Sequence, residues 1–436
     1  MFAERRAQLM AGIRVQADNT AAIFVSAREI IRNSDVYFEF RQDSTFFYLT
    51  GFDEPDTVAL LRPGAEAPFV MFVRPHDPQM AIWVGARAGI DGALADYGAD
   101  EAYPIEELAE RLPALLAEVE TLYYPLGVDT EVDALVSKHV AGRRQAAQRG
   151  GKELVSLRDP SPLVDEMRLH KSEPEAAALN RAVSLTAQGF DLAMRATRPG
   201  MHEYEVQALM EAEFRRLGSR RNGYPSIVAG AHDSCILHYT TNRKELNDGD
   251  LLLIDAGAEW DYYTADVTRT WPVSGKFTPA QRAVYDVVLR AQQAGIAAAQ
   301  PGAPFDGVHQ ASLRVIVEGL IELGIFEGDI DQLIEDDSHR PFFMHGTSHW
   351  LGMDVHDVGR YREGEESVAL RPGMCFTVEP GLYLDPDNED IPKQYRGIGI
   401  RIEDDILITA DGHTNLSGHI PSDPDEIETI IGSTTG

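Results

Sequence analysis

Cysteine is almost absent: Cys235 and Cys375 are the only two in 436 residues, and both sit in apolar, strand-like surroundings. Two are too few for a disulfide framework, so both are expected to be reduced, buried thiols of a cytoplasmic protein. No apolar run approaches the roughly 18 residues that a membrane span demands. The first ten residues, MFAERRAQLM, hold two arginines but lead into neither an apolar stretch nor a small-residue cleavage site, so no secretory signal is expected. Positive charge is scarce as well. Against 70 Asp and Glu stand 39 Lys and Arg, a net charge of −31, which argues against nucleic acid or an anionic membrane as partner. There is no G-x-S-x-G, and Cys375 has no base beside it, which disfavours serine and cysteine nucleophiles.

What is present is a globular composition, 44% hydrophobic and 25% charged, in a chain long enough for two domains. Residues 1–170 read as an α/β N-terminal domain without a Gly-rich phosphate loop. Its expected strands are Ala21 to Ala27, Phe46 to Gly51, Val58 to Leu61, Phe69 to Val73 and Leu122 to Tyr124, with an amphipathic helix over Ile105 to Val119. A boundary is expected at Lys171, where Ser172-Glu173-Pro174-Glu175 has the pattern of a capped helix start. Residues 171–436 form the second domain, whose end, Ser422 to Gly436, is polar and expected to fray.

The second domain repeats its own grammar. A helix opened by Ser172 stops at Pro199-Gly200 and is followed by another that stops at Gly218. A helix opened by Thr278 stops at Pro301-Gly302, 102 positions on, and is followed by another that stops at Gly324. After each helix pair comes an apolar strand led by glycine. Gly249 precedes LLLIDAG, and Gly373 precedes CFTVEPG, so that Asp255 and Glu379 each lie six residues after one glycine and two before another. Two related halves, with the two carboxylate strands facing each other, explain the echo better than chance does.

Five positions gather chemistry: Asp255, Asp266 eleven residues later, His349 in MHGTSHWLGMDVHDVG, Glu379 in TVEPGLY, and Glu403 in GIGIRIEDDILIT. Each alone reads as a cap or a surface charge. Together, four carboxylates in strand-rich, apolar surroundings repel one another and are costly to bury unless cations balance them. Four oxygen donors and one imidazole suit manganese, cobalt, iron or zinc with open coordination positions, and exceed what one ion needs. His356 and His238 are candidates to donate hydrogen bonds to a tetrahedral intermediate. His345 is either structural or part of the site. Arg401, two residues before Glu403, is expected to share its strand face and orient its carboxylate.

The segments HGTSHWLGMDVHDVG, LLIDAGAEWDYYTADVTRTWPV, TVEPGLY and RGIGIRIEDDILIT, with YFEFRQDSTFFYLTGFDEP and AIWVGAR nearer the start, resemble those of aminopeptidase P (Xaa-Pro aminopeptidase), a pita-bread metallopeptidase. The resemblance spans essentially the whole chain. It implies an α+β pita-bread C-terminal domain with two related halves, and two divalent ions, Mn2+ above all. Asp255, Asp266, His349, Glu379 and Glu403 would be their ligands, with Asp266 and Glu403 bridging both. It further implies Glu379 as general acid and base, a peptide substrate with proline at the second position, and a homodimer or homotetramer. In such an assembly a neighbour's N-terminal domain closes the pocket, and Asp35 and Trp83 stand where its contacts would fall. Prolidase, acting on X-Pro dipeptides, and a non-catalytic peptide-binding pita-bread protein are the alternatives.

Overall fold

Strand Thr20–Val25 is buried along its whole length, as expected for a run of small and β-branched residues at the centre of a sheet. The protein is described here by a computed structural model covering residues 1–433. It divides into a unit of residues 1–165 and a second unit that begins at Glu166.

In the first unit a six-stranded sheet runs in the order Glu101–Pro104, Phe69–Val73, Val58–Leu61, Thr20–Val25, Thr121–Tyr123 and Ser156–Arg158. Val58–Leu61 pairs antiparallel with both neighbours, and the other pairings are parallel. Ile23, Leu60, Val70 and Phe72 pack its core with Leu112 and Val136 from helices Leu108–Leu115 and Thr130–Ala147. Two expectations need correction. The segment Phe46 to Gly51 is helical, Ser44–Thr50, because the Asp43 carboxylate caps it by accepting the Phe46 N–H at 2.7 Å and Gly51 ends it at φ 68°. Capping outweighs the strand preference of its aromatic residues. The helix expected over Ile105 to Val119 is confined to Leu108–Leu115, preceded by a 3-10 turn at Ile105–Glu107.

The division falls at Asp165, inside helix Ser161–Leu169, rather than at Lys171. The reason is electrostatic and apolar together: Arg168 and Lys171 both pair with Asp357, and Leu169 joins Phe305, Trp350 and Phe376 in a core cluster of the second unit.

The second unit carries two helix pairs, Glu173–Ala196 with Glu203–Arg216 and Pro279–Ala298 with Phe305–Glu322. Capping boxes at Ser172 and Thr278 open the two long helices. The glycines of the two Pro-Gly stops have φ 88° and 83°, and the strand-leading Gly249 and Gly373 have φ 87° and 89°, so the halves repeat backbone conformation as well as sequence. Each half supplies a three-stranded antiparallel sheet. One orders Ile227–Gly230, Leu251–Ala256 and Val267–Pro272; the other orders Cys375–Val378, Asp404–Ile408 and His413–Asn415. The large core between sheets and helices includes Phe190, Trp271, Tyr285, Ile316, Leu382 and Ile400, each fully buried large apolar side chain contributing about 1.5–3 kcal/mol.

The chain end does not simply fray. Asp423 caps a helix, Pro424–Ile430, that buries Ile427, while the expectation for residues 434–436 lies outside the described residues. No helix among the described residues is long and apolar enough to cross a membrane.

Candidate metal centre

The two carboxylate strands deliver their acids to one cavity. Asp255 is the fifth residue of Leu251–Ala256, where its Cα is paired with those of Ile227 and Thr268. Asp266 lies just before strand Val267–Pro272. The chain turns between them through Gly257, where a Cβ would stand 1.8 Å from the Ala265 carbonyl oxygen, so only glycine permits the approach. Glu379 follows Cys375–Val378, and Glu403 joins Ile398–Arg401 to Asp404–Ile408. His349 is laid alongside Cys375–Val378 by Thr377, whose N–H donates to the His349 carbonyl at 3.0 Å and whose hydroxyl accepts the His349 N–H at 3.2 Å.

These groups surround a cavity of about 630 Å³, lined by Asp255, Asp266, His349, Glu379 and Glu403 together with His238, His345, His356 and Arg401. Asp266, His349 and Glu403 each offer one ligand atom, all within 4.8 Å of one another. His349 Nε2 is 3.3 Å from both Asp266 Oδ2 and Glu379 Oε1. Its Nδ1 lies 3.1 Å from the Trp350 carbonyl, which selects the tautomer with a proton on Nδ1 and leaves Nε2 facing the carboxylates. Thr268 donates to Glu403 Oε2 at 2.6 Å and Thr377 to Glu379 Oε1 at 3.2 Å.

The charge balance calls for cations. Burial and the charges of Asp266, Glu379 and Asp255 push the Glu403 carboxyl well above the usual carboxylate range. Burial, opposed by the His349 contact and reinforced by Asp255, pushes Asp266 up to about 6. His349 is itself disfavoured as a cation by burial, but Asp266 and Glu379 outweigh this and raise it well above its ordinary value. Tyr224 makes the same point by geometry. Its hydroxyl stands 2.6 Å from Asp255 Oδ1 and 2.5 Å from Asp266 Oδ1, yet one hydroxyl proton can serve only one of them. Four hard oxygen donors and one imidazole, short of positive charge, fit divalent ions.

Arg401 does not orient Glu403 directly. Its Nη2 donates to Asp255 Oδ2 at 2.7 Å, its Nη1 to the Tyr383 hydroxyl at 3.0 Å, and its Nε to Thr268 Oγ1 at 3.1 Å, so it reaches Glu403 only through Thr268. The strand Ile398–Arg401 ends at Arg401, so the strand alternation behind the expectation does not carry through to Glu403. His345 belongs to the same network: its Nδ1 is 2.7 Å from the Gly346 carbonyl and its Nε2 is 2.8 Å from the Tyr383 hydroxyl. His238 and His356 are exposed on the cavity, and the His356 ring lies 4.3 Å from that of His349. Tyr224, Thr268 and Tyr383 escaped the sequence reading, because a lone hydroxyl in a strand or turn carries no spacing signal. Asp35 and Trp83 stand exposed on the first unit.

Comparison with known proteins agrees with this geometry along the whole chain. Residues 177–410 match Metallopeptidase family M24, and residues 2–123 match Aminopeptidase P, N-terminal domain. The chain is 43% identical to the Xaa-Pro aminopeptidase of Escherichia coli (strain K12), covering 98% of this chain and 97% of that protein. Among solved structures, the Pseudomonas aeruginosa aminopeptidase PepP superposes with a TM-score of 0.95 at 43% identity, over 98% of this chain and 97% of that one. Proline aminopeptidase P II from Yersinia pestis does so with a TM-score of 0.94 at 46% identity, over 98% of each chain. The α/β first unit and the pita-bread second unit with its two related halves are therefore those of aminopeptidase P, and the chain belongs to metallopeptidase family M24.

Proposed function

We propose that this protein is a two-metal aminopeptidase that hydrolyses the bond between the first residue of a peptide and a following proline. The observation that carries this reading is the single cavity in which four carboxylates and His349 converge, in a chain alike over its full length to Xaa-Pro aminopeptidases. Asp255, Asp266, His349, Glu379 and Glu403 would hold the two ions, with manganese the proposed metal. When bound, the ions supply Lewis acidity at the scissile carbonyl and bring the pKa of water toward neutrality.

The chain's own residues then have distinct tasks. Glu379 Oε1 is occupied by Thr377 and His349, which leaves Oε2 to take the proton from the attacking water. The same oxygen returns it toward the prolyl nitrogen as the bond breaks. His356, exposed on the cavity with its ring 4.3 Å from that of His349, would together with His238 stabilise the developing oxyanion. His345 holds the Tyr383 hydroxyl, which accepts from Arg401, and Arg401 holds Asp255. An X-Pro bond has no N–H and a fixed ring, so peptidases that grip that hydrogen fail on it and a dedicated pocket is needed.

The first unit exposes Ile30, Ile31, Phe38, Ile82 and Trp83, the last two at 83%. Apolar side chains left this exposed support a homodimer or homotetramer in which a neighbour supplies Asp35 and Trp83 to the pocket. A cytoplasmic location is part of the same reading. The deciding experiment measures metal content and peptide turnover on one purified sample. Arg-Pro-Pro should be cut between its first two residues, activity should vanish with a chelator and return with Mn2+, and mass determination should show an oligomer. Turnover confined to X-Pro dipeptides would select prolidase instead. Indifference to chelation would remove the mechanism.

A further inference from the structure

Beneath the cavity, the segment that carries His349 and His356 is pinned by buried charge. Asp357 accepts from Arg168 Nη2 at 2.6 Å and from Lys171 Nζ at 3.0 Å, and none of the three side chains is more than 3% exposed. Arg168 Nη2 reaches on to Asp354 at 2.7 Å. The packing is tight enough that a Cβ at Gly352 would lie 2.1 Å from Asp357 Oδ2 and 3.0 Å from Lys171 Cε. Burial opposes the Asp357 charge, but Lys171 and Arg168 outweigh it and hold the carboxyl below its ordinary range.

The backbone of Asp357 connects this cluster to the chemistry. Its N–H donates to the Trp350 carbonyl at 2.8 Å, and that same carbonyl receives the His349 Nδ1–H at 3.1 Å. The next residue back, His356, has its ring 4.3 Å from the His349 ring. A carbonyl held by one donor is thus the one that aims the imidazole of the other. Buried ion clusters add little net stability over apolar packing of the same shape, so stability alone does not account for three charges placed here. A fixed second partner for a ligating histidine does, because it sets both ring angle and tautomer.

We propose that Asp357, clamped by Arg168 and Lys171, is a positioning residue that fixes the Trp350 carbonyl and through it aims His349 Nε2 into the metal centre while seating His356 beside it. The inference rests on the reading of His349 as a ligand given above.

The test compares wild-type protein with Asp357→Asn, Lys171→Met and Lys171→Gln. Mn2+ affinity is measured by calorimetry on the metal-stripped chain, thermal unfolding is followed without metal, and kcat and KM are measured separately after reloading. Asp357→Asn is expected to weaken metal binding by about 10–100-fold and to lower kcat with KM little changed. Lys171→Met should show a smaller loss in the same two quantities. Lys171→Gln, which keeps a donor to the Asp357 carboxylate, should recover most of it. If Asp357→Asn does not fold, the Lys171 pair decides. Variants that unfold earlier but keep wild-type metal affinity and kcat would overturn the proposal and leave the cluster a purely structural one. Failure of the wild-type protein to bind Mn2+ would instead remove the reading of the site itself.

Discussion

Arg401 Nη2 and Asp255 Oδ2 meet at 2.7 Å, a buried ion pair that joins a strand of the second half to the carboxylate strand of the first. The pair sets the orientation of one proposed ligand, and through Nε it steadies the Thr268 hydroxyl that grips Glu403. Arg401→Met is therefore expected to lower metal affinity or kcat/KM by about 10–100-fold. Arg401→Lys should rescue little, since one ammonium cannot reproduce a fork that reaches Asp255, Tyr383 and Thr268 at once. Metal titration and steady-state kinetics on both variants check this; an Arg401→Lys protein equal to wild type would contradict it.

Gly257→Ala tests the turn between Asp255 and Asp266. A methyl group 1.8 Å from the Ala265 oxygen cannot be accommodated without separating the two chain segments. The expected result is loss of metal binding by at least about tenfold together with a lowered unfolding midpoint. Calorimetry and thermal melts read both, and a variant with native metal affinity would show that the two acids tolerate separation.

His309 should make the protein sensitive to acid. Its Nδ1 lies 2.8 Å from the Thr347 hydroxyl on the segment leading to His349, and burial, aided by His339 and His345, pushes its imidazole down to about 4 from 6.5. Between these values the unfolded chain binds a proton that the folded chain refuses. Stability is fully present above about 6.5 and declines as pH falls toward about 4, by roughly 3 kcal/mol at most from this residue. Urea unfolding at about pH 7.5 and about pH 5 should show the loss in wild type and a flatter response in His309→Gln. An equal slope in both proteins would clear His309 of the effect.

Salt should stabilise. A net charge of −31 repels itself over the surface, and screening shortens from about 10 Å at 0.1 M to about 3 Å at 1 M salt. The unfolding midpoint of the metal-free protein is expected to rise by several degrees between low salt and molar KCl. A flat or falling midpoint would mean that the acidic surface is already balanced locally.

Part of this molecule is readable from one dimension. Gly249 and Gly373 lead strands to Asp255 and Glu379 at equal spacing, and Ser172 and Thr278 open helices by local capping. Such signals survive in sequence because they arise from residues a few positions apart. The same locality misled at Phe46 to Gly51, where aromatic residues suggested a strand and the Asp43 cap decided for a helix. Length, composition and the order of these local signals determined that the chain would make two domains, the second of two like halves, with acids at the ends of its strands. Only the tertiary structure decided which atoms meet. Tyr224 between Asp255 and Asp266, Arg401 on Asp255 rather than Glu403, and Arg168 and Lys171 on Asp357 are contacts between residues up to 189 positions apart. Neither periodicity nor spacing encodes them, because they exist only once packing has brought distant segments together and removed the water that would otherwise separate their charges.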